Sequence, residues 1–132
     1  MMQRGNGSNI AVTSDSAEDA RLCTRLLQAP VAETRTALLS RVKTMPRWAV
    51  ADSSGTIIWL TRTTRLFRFV DDLFVLIEPR GDGSAILVRS ASRVGERDLG
   101  QNRRNIAGLW AALATEHPLR SASTSPDSQG TR

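Results

Sequence analysis

Between residues 57 and 88 the apolar positions come as short continuous runs, IIWL (57–60), LFVLI (73–77) and AILV (85–88), separated by turn chemistry. On either side they recur at steps of three and four. The first pattern marks strands and the second marks helices with one buried stripe. Residues 32–44 are therefore expected as a helix, with Val31, Arg35, Leu38, Val42 and Met45 on one stripe, Leu39 beside it and Pro46 as its stop. A shorter helix is expected from Ser16 to just before Pro30, because SAEDARLC places acids in a first turn. Strands are expected at 48–52, 56–64, 69–79 and 85–92, with the DSSG of 52–55 and the RGDGS of 80–84 supplying turns. A last helix is expected to start near Asp98, with Asp98 as N-cap and Gln101 completing a capping box. Its inward stripe reads Leu99, Asn102, Ile106, Leu109 with Trp110, and Leu113. Asn102 stands where an apolar residue belongs. A buried amide needs partners, so Asn102 is expected to fasten the preceding loop.

These elements imply an α+β two-layer sandwich, a four-stranded antiparallel sheet with two helices packed on one face. The boundaries expected are a disordered arm over 1–15, a single α+β domain over 16–119 and a disordered tail over 120–132, both ends being rich in small polar residues. The second and third strands are apolar on both faces at their centres. Because strand side chains alternate, Phe74, Leu76 and Ile58 cannot all reach the face of their neighbours. The second face then needs a cover: residues 16–28, a second subunit or a ligand.

Composition narrows the picture only slightly. A chain of 132 residues supports one core. The net charge is +5, and of 18 basic residues only Lys43 is lysine. The arginines are scattered along the chain, without the blocks or stripes of a polyanion surface, so specific nucleic-acid binding is not expected. Cys23 is the single cysteine, which excludes an intramolecular disulfide and a cysteine-based zinc site. No apolar run approaches 18 residues and the N-terminal RGNGSN has no signal-peptide core, so no membrane span and a cytoplasmic location are expected.

The least ordinary stretch is VRSASRVGERDLGQN, residues 88–102, where a strand runs into a helix start. On a strand Arg89, Ala91 and Arg93 face one way and Ser90 and Ser92 the other. One reading is an anion site. Arg89 and Arg93 would clamp, and Ser90 or Ser92 would donate hydroxyls. Asp71, Asp72, Gly95, Asp98, Gly100, Asn102 and Arg103 would form the supporting network at the helix N-terminus. The other reading is an Arg–Asp network that locks strand, loop and helix together, with Asp98 already occupying the helix end an anion would want. Adjacent Asp71 and Asp72 point to opposite faces of a strand, so no metal is expected, nor any cofactor. The sole histidine, His117, reads as a dipole partner at a helix C-terminus. Cys23 reads as a packed small hydrophobe, and no G-x-S-x-G elbow exists. No catalytic constellation is present and the chain is expected not to be an enzyme.

FRFVDD (67–72), VRSASRVG (88–95) and DLGQNRR (98–104) together resemble the signature of the family called domain of unknown function 1499, with a match of roughly 32–114. The resemblance implies a bacterial protein of uncharacterised function, since the family has no established activity, and it carries a fold and a site candidate but no reaction. The chain departs from the family pattern in two places. Relatives carry an Asn-Cys-Val-Ser-like segment where this chain has only Cys23, and the export or membrane segment of many relatives is missing. The function expected is a non-enzymatic module that binds a small anionic ligand or an acidic partner. The alternative is an interaction protein that dimerises or joins a complex through its open sheet face.

Overall fold

The computed structural model describes residues 10–93 and 100–122. The described chain runs β1 (Ile10–Val12), β2 (Arg25–Leu27), α1 (Val31–Val42), β3 (Trp48–Asp52), β4 (Ile57–Thr63), β5 (Val70–Arg80), β6 (Gly83–Ser92), α2 (Gln101–Ala114) and β7 (Leu119–Ser121). The sheet is seven-stranded, in the order β3-β4-β5-β6-β2-β7, with β1 also paired to β6. This corrects the four-stranded sheet expected from the pattern, although the class remains α+β. The meander β3 to β6 lies where the apolar runs placed it. The three additional strands are IAV, RLL and LRS, each three residues long and too short to show a period of two.

The expected N-terminal helix is also corrected. Residues 16–28 contain only one 3₁₀ turn, Ala20–Leu22, whose cap Asp19 accepts from the Arg21 N–H. Its flanks belong to the sheet edge. β1 and β2 lie along the same edge of β6, Val12 opposite Arg89 and Arg25 opposite Ile86. The segment between them bulges away, and a bridge between Ser14 and Cys23 closes its neck. That bulge packs on α2: the Trp110 indole donates to the Arg21 carbonyl at 2.8 Å, and the Arg25 guanidinium lies 5.1 Å over the Trp110 ring.

Alternation fixes which strand residues meet the helices. Ile58 and Leu60 of β4, Leu73, Val75 and Ile77 of β5, and Ile86 and Val88 of β6 bury against Leu38 and Val42 of α1 and Ile106, Leu109 and Leu113 of α2. Burying a Leu or Ile side chain contributes about 1.5–3 kcal/mol, so this seam dominates the fold. Ile58 belongs to it, so its neighbour Ile57 faces the other side. Residues 16–28 sit at the edge and on α2, and so do not cover that second face. No helix among the described residues is long and apolar enough to cross a membrane.

The start of α2 differs from the expected capping box. Gln101 is its first residue, preceded by Gly100 in the left-handed region at φ 84°, where glycine carries no Cβ penalty. Asp98, expected as the cap, lies outside the described residues.

Candidate functional site

The strand-to-helix motif is divided by the sheet. Along β6, Arg89 points to the open face and Ser90 and Ser92 toward α2. Arg93 follows the strand end, back on the open side. Arg89 and Arg93 are four residues apart, roughly 13 Å of strand rise, too far to close on one small anion. Arg93 is moreover engaged. Its Nε donates to Asp72 Oδ2 at 2.9 Å and its Nη2 to Asp72 Oδ1 at 2.8 Å, a two-pronged pair. The Trp59 indole also donates to Asp72 Oδ1, at 2.8 Å. The Arg93 guanidinium holds the Asp72 carboxyl below the usual carboxylate range, the Trp59 N–H adds to this and partial burial opposes it. Asp72 in turn raises Arg93.

On the helix side the serines join a buried amide network. Ser90 Oγ donates to Asn102 Oδ1 at 2.5 Å, and Asn102 Nδ2 donates to Ser92 Oγ at 2.9 Å. Asn105, one turn further along α2, donates from Nδ2 to Asp71 Oδ2 at 2.8 Å and to Ser90 Oγ at 3.2 Å. Its own Oδ1 accepts from Gln101 Nε2 at 2.7 Å. Asp71, Ser90, Asn102 and Asn105 are all at most 2% exposed. Polar groups this deep persist only when hydrogen-bonded, and here they stitch α2 to β5 and β6. Asn102 thus fastens the helix to the strand; the loop it was expected to hold lies outside the described residues.

The open face carries the apolar residues left over by alternation. Register places Ile57, Leu76 and Leu87 in one cross-strand row and Trp59, Phe74, Arg89 and Val12 in the next. Trp59 and Phe74 stack with centroids 6.1 Å apart. Val12 is 52% and Ile57 47% exposed. A shallow concavity of about 210 Å³ lies among Val12, Ile57, Phe74, Leu76, Leu87 and Arg89. The Arg89 side chain is exposed and has no hydrogen-bond or ion-pair partner among the described residues. Asp72, the carboxylate on the same face, already holds two partners.

The structure thus divides the expected anion site into two groups, one with Arg89, Arg93 and Asp72 and the other with Ser90, Ser92, Asp71 and Asn102. Gly100 is the turn before α2. Arg103 turns away toward the bulge, with its Nε 3.6 Å from Asp19 Oδ2. Gly95 lies outside the described residues with Asp98. Sequence reasoning missed Asn105 and Trp59. Asn105 stands three residues from Asn102 on the same helix face, and that repeat of amides was the available signal. Among the described residues no three His, Cys, Asp or Glu side chains group to hold a metal ion.

A family model described as "Protein of unknown function (DUF1499)" matches residues 6–113. No curated protein matches the sequence. A crystal structure of TTHA0849 from Thermus thermophilus is similar at 13% identity over 70% of this chain and 92% of that one, with a TM-score of 0.40.

Proposed function

The chain belongs to the domain of unknown function 1499 family, and from that premise we propose that it is a non-enzymatic binding module whose uncovered sheet face docks an acidic partner segment. The observation that carries this reading is Arg89, an exposed and unpartnered guanidinium at the rim of an apolar concavity. Exposed contiguous apolar surface rimmed by polar groups is the usual mark of an interaction site. Apolar side chains of the partner would fill the space among Phe74, Leu76 and Leu87 and gain from leaving water. A carboxylate beside them would pair with Arg89 and fix the register, since charge complementarity gives orientation more than raw affinity. Arg93 does not compete for that carboxylate because Asp72 already neutralises it. Asn102 and Asn105 tie the end of β6 and the start of β5 to α2, which limits the reorganisation that docking would cost.

Selection from a displayed peptide library tests the reading. The expected binders place Asp or Glu next to two or more apolar residues. Their binding falls at least about tenfold in Arg89→Glu and in Leu76→Asp, with the melting profile retained. Binders that ignore both substitutions, or no binders at all, would sink it. A concentration-dependent dimer abolished by Leu76→Asp would instead assign the face to a second copy of the chain.

A further inference from the structure

Away from the open face, the connection between β4 and β5 carries apolar surface that strand alternation does not explain. Its neck is closed twice between Thr64 and Phe69. The Thr64 N–H donates to the Phe69 carbonyl and the Phe69 N–H to Thr64 Oγ1, each at 2.8 Å. The four residues between them, Arg65, Leu66, Phe67 and Arg68, are all exposed. Leu66 at 77% and Phe67 at 62% are the most exposed of the large apolar side chains described. Arg68 holds φ 59°, a left-handed backbone that a residue with a side chain rarely adopts. Phe67 stacks on Phe69 with ring centroids 5.6 Å apart. A connection tied across its neck in this way presents Leu66 and Phe67 at its apex instead of folding them onto the sheet, and the gain of burying them is left unused.

Positive charge surrounds this apex. Arg65 and Arg68 flank it directly, and neither has a hydrogen-bond or ion-pair partner among the described residues. Arg47 comes beside the neck, because its carbonyl accepts from the Thr63 N–H at 2.8 Å, and its exposed side chain is likewise without a partner among the described residues. The antiparallel meander gathers the start of β3, the end of β4 and the start of β5 at this end of the sheet. The described carboxylates there are Asp71 and Asp72, and both are engaged, Asp71 by Asn105 and Asp72 by Arg93. A convex apolar tip ringed by cations enters its partner rather than enclosing one. It fits a yielding surface that is anionic outside and apolar just beneath, which is the chemistry of a bilayer with anionic headgroups. Base stacking suits it less, since Leu66 has no π face and Phe67 already lends one face to Phe69.

We propose that the β4–β5 tip, residues 65–68, docks the protein peripherally on an anionic phospholipid surface. Leu66 and Phe67 enter the headgroup boundary, and Arg65, Arg68 and Arg47 pair with lipid phosphates, for which a guanidinium fork is suited. Two apolar side chains make a shallow anchor, so the binding is reversible and needs the apolar and the charged contributions together. This tip is separate from the open face and does not depend on what docks there.

Cosedimentation of the full chain with vesicles of equal parts phosphatidylglycerol and phosphatidylcholine, run against phosphatidylcholine alone, provides the first measurement. Binding is expected to the anionic vesicles and is expected to weaken as salt screens it. It is expected to fall at least about tenfold in Leu66→Ser and in Phe67→Ser. Arg65→Gln and Arg68→Gln are each expected to lower it about fivefold. Arg120→Gln, on the edge strand β7 at the other side of the sheet, is expected to bind as the wild type does. An equal loss in Arg120→Gln and Arg68→Gln would mean that net charge adsorbs the protein, and would overturn the tip. Because these side chains are exposed, melting temperatures are expected to stay at the wild-type value. Phe67→Trp supplies a readout that needs no loss of binding. It is expected to bind and to add fluorescence that brominated acyl chains quench, beyond the background of the three native tryptophans. Binding without that added quenching overturns insertion of the apex. Binding of a single-stranded oligonucleotide, lost in Phe67→Ser and unaccompanied by vesicle binding, would give the tip to nucleic acid and overturn the proposal, as would no vesicle binding at all.

Discussion

Replacing Asn105 by alanine removes an amide that links α2 to β5 and β6 together. The dominant loss is its bond to Asp71 Oδ2 at 2.8 Å, since a hydrogen bond to a charged group contributes about 1.5–3 kcal/mol. The longer contact to Ser90 Oγ at 3.2 Å adds about 0.5 kcal/mol. Gln101, released from Asn105, is half-exposed and regains water, so it adds little. The small void left by the missing amide adds about 0.5 kcal/mol more. The sum is about 3 kcal/mol, which in a domain of this size lowers the melting temperature by roughly 10–15 °C. Calorimetry and urea denaturation of Asn105→Ala measure it directly. A double-mutant cycle with Asp71→Asn should return a coupling of about 1 kcal/mol or more, as the two side chains touch. A loss below about 1 kcal/mol, or a coupling near zero, would refute the claim that this network fixes α2 on the sheet.

Other substitutions probe other parts of the structure. Asp72 has a folded pKa below its ordinary value, so it stabilises above the unfolded pKa near 4 and loses that contribution as pH falls through the folded value. The stability gap between wild type and Asp72→Asn should therefore be flat above about pH 5 and shrink in acid. It should stay within about 1 kcal/mol, because Arg93 is half-exposed; a gap that widens in acid contradicts the assignment. In Gly83→Ala the new Cβ would stand 2.3 Å from the Leu27 carbonyl oxygen, so β2 must shift off β6. The expected loss is about 1–3 kcal/mol, with hydrogen exchange accelerating first at Arg25–Leu27. Leu73→Ala, fully buried between sheet and helices, should lose about 2–5 kcal/mol in denaturant melts, whereas Leu76→Ala on the open face should lose under about 1.5 kcal/mol. Equal losses at the two positions would mean the second face is covered after all.

The long elements were legible because their periods are long enough to read. IIWL and LFVLI read as central or doubly covered strands, and the stripe through Leu38 and Val42 as a buried helix face. The edge was not legible, since β1, β2 and β7 offer three residues each, and β1 and β2 depend on β6 for their hydrogen bonds while β7 depends on β2. Glu18 and Asp19 suggested a helix start, yet Asp19 caps a single turn, and Asp15 just before them reaches Arg80 at 2.9 Å, a contact no local pattern encodes. The amide at Asn102 announced its need for partners, and these include two serines on β6. What the chain could not disclose is which arginines are neutralised. Arg89 and Arg93 look equivalent in RSASR, and the register sets Asp72 opposite Ala91, midway between them; the pair that the Asp72 side chain makes is with Arg93.

The pairing of β1 and β2 along one edge of β6 also bears on the order of assembly. The meander from β3 to β6 closes through short turns between consecutive strands, so it forms early and locally. β1 and β2 join the meander only once β6 exists, and β7 in turn joins through β2. Their closure spans most of the chain and carries the loop entropy of that span. The N-terminal edge is therefore the last part of the sheet to join in refolding and the first to leave. Until it docks, the β6 backbone between Ser84 and Ala91 stands open, and this interval is when the protein is most exposed to pairing with a second, unfinished chain.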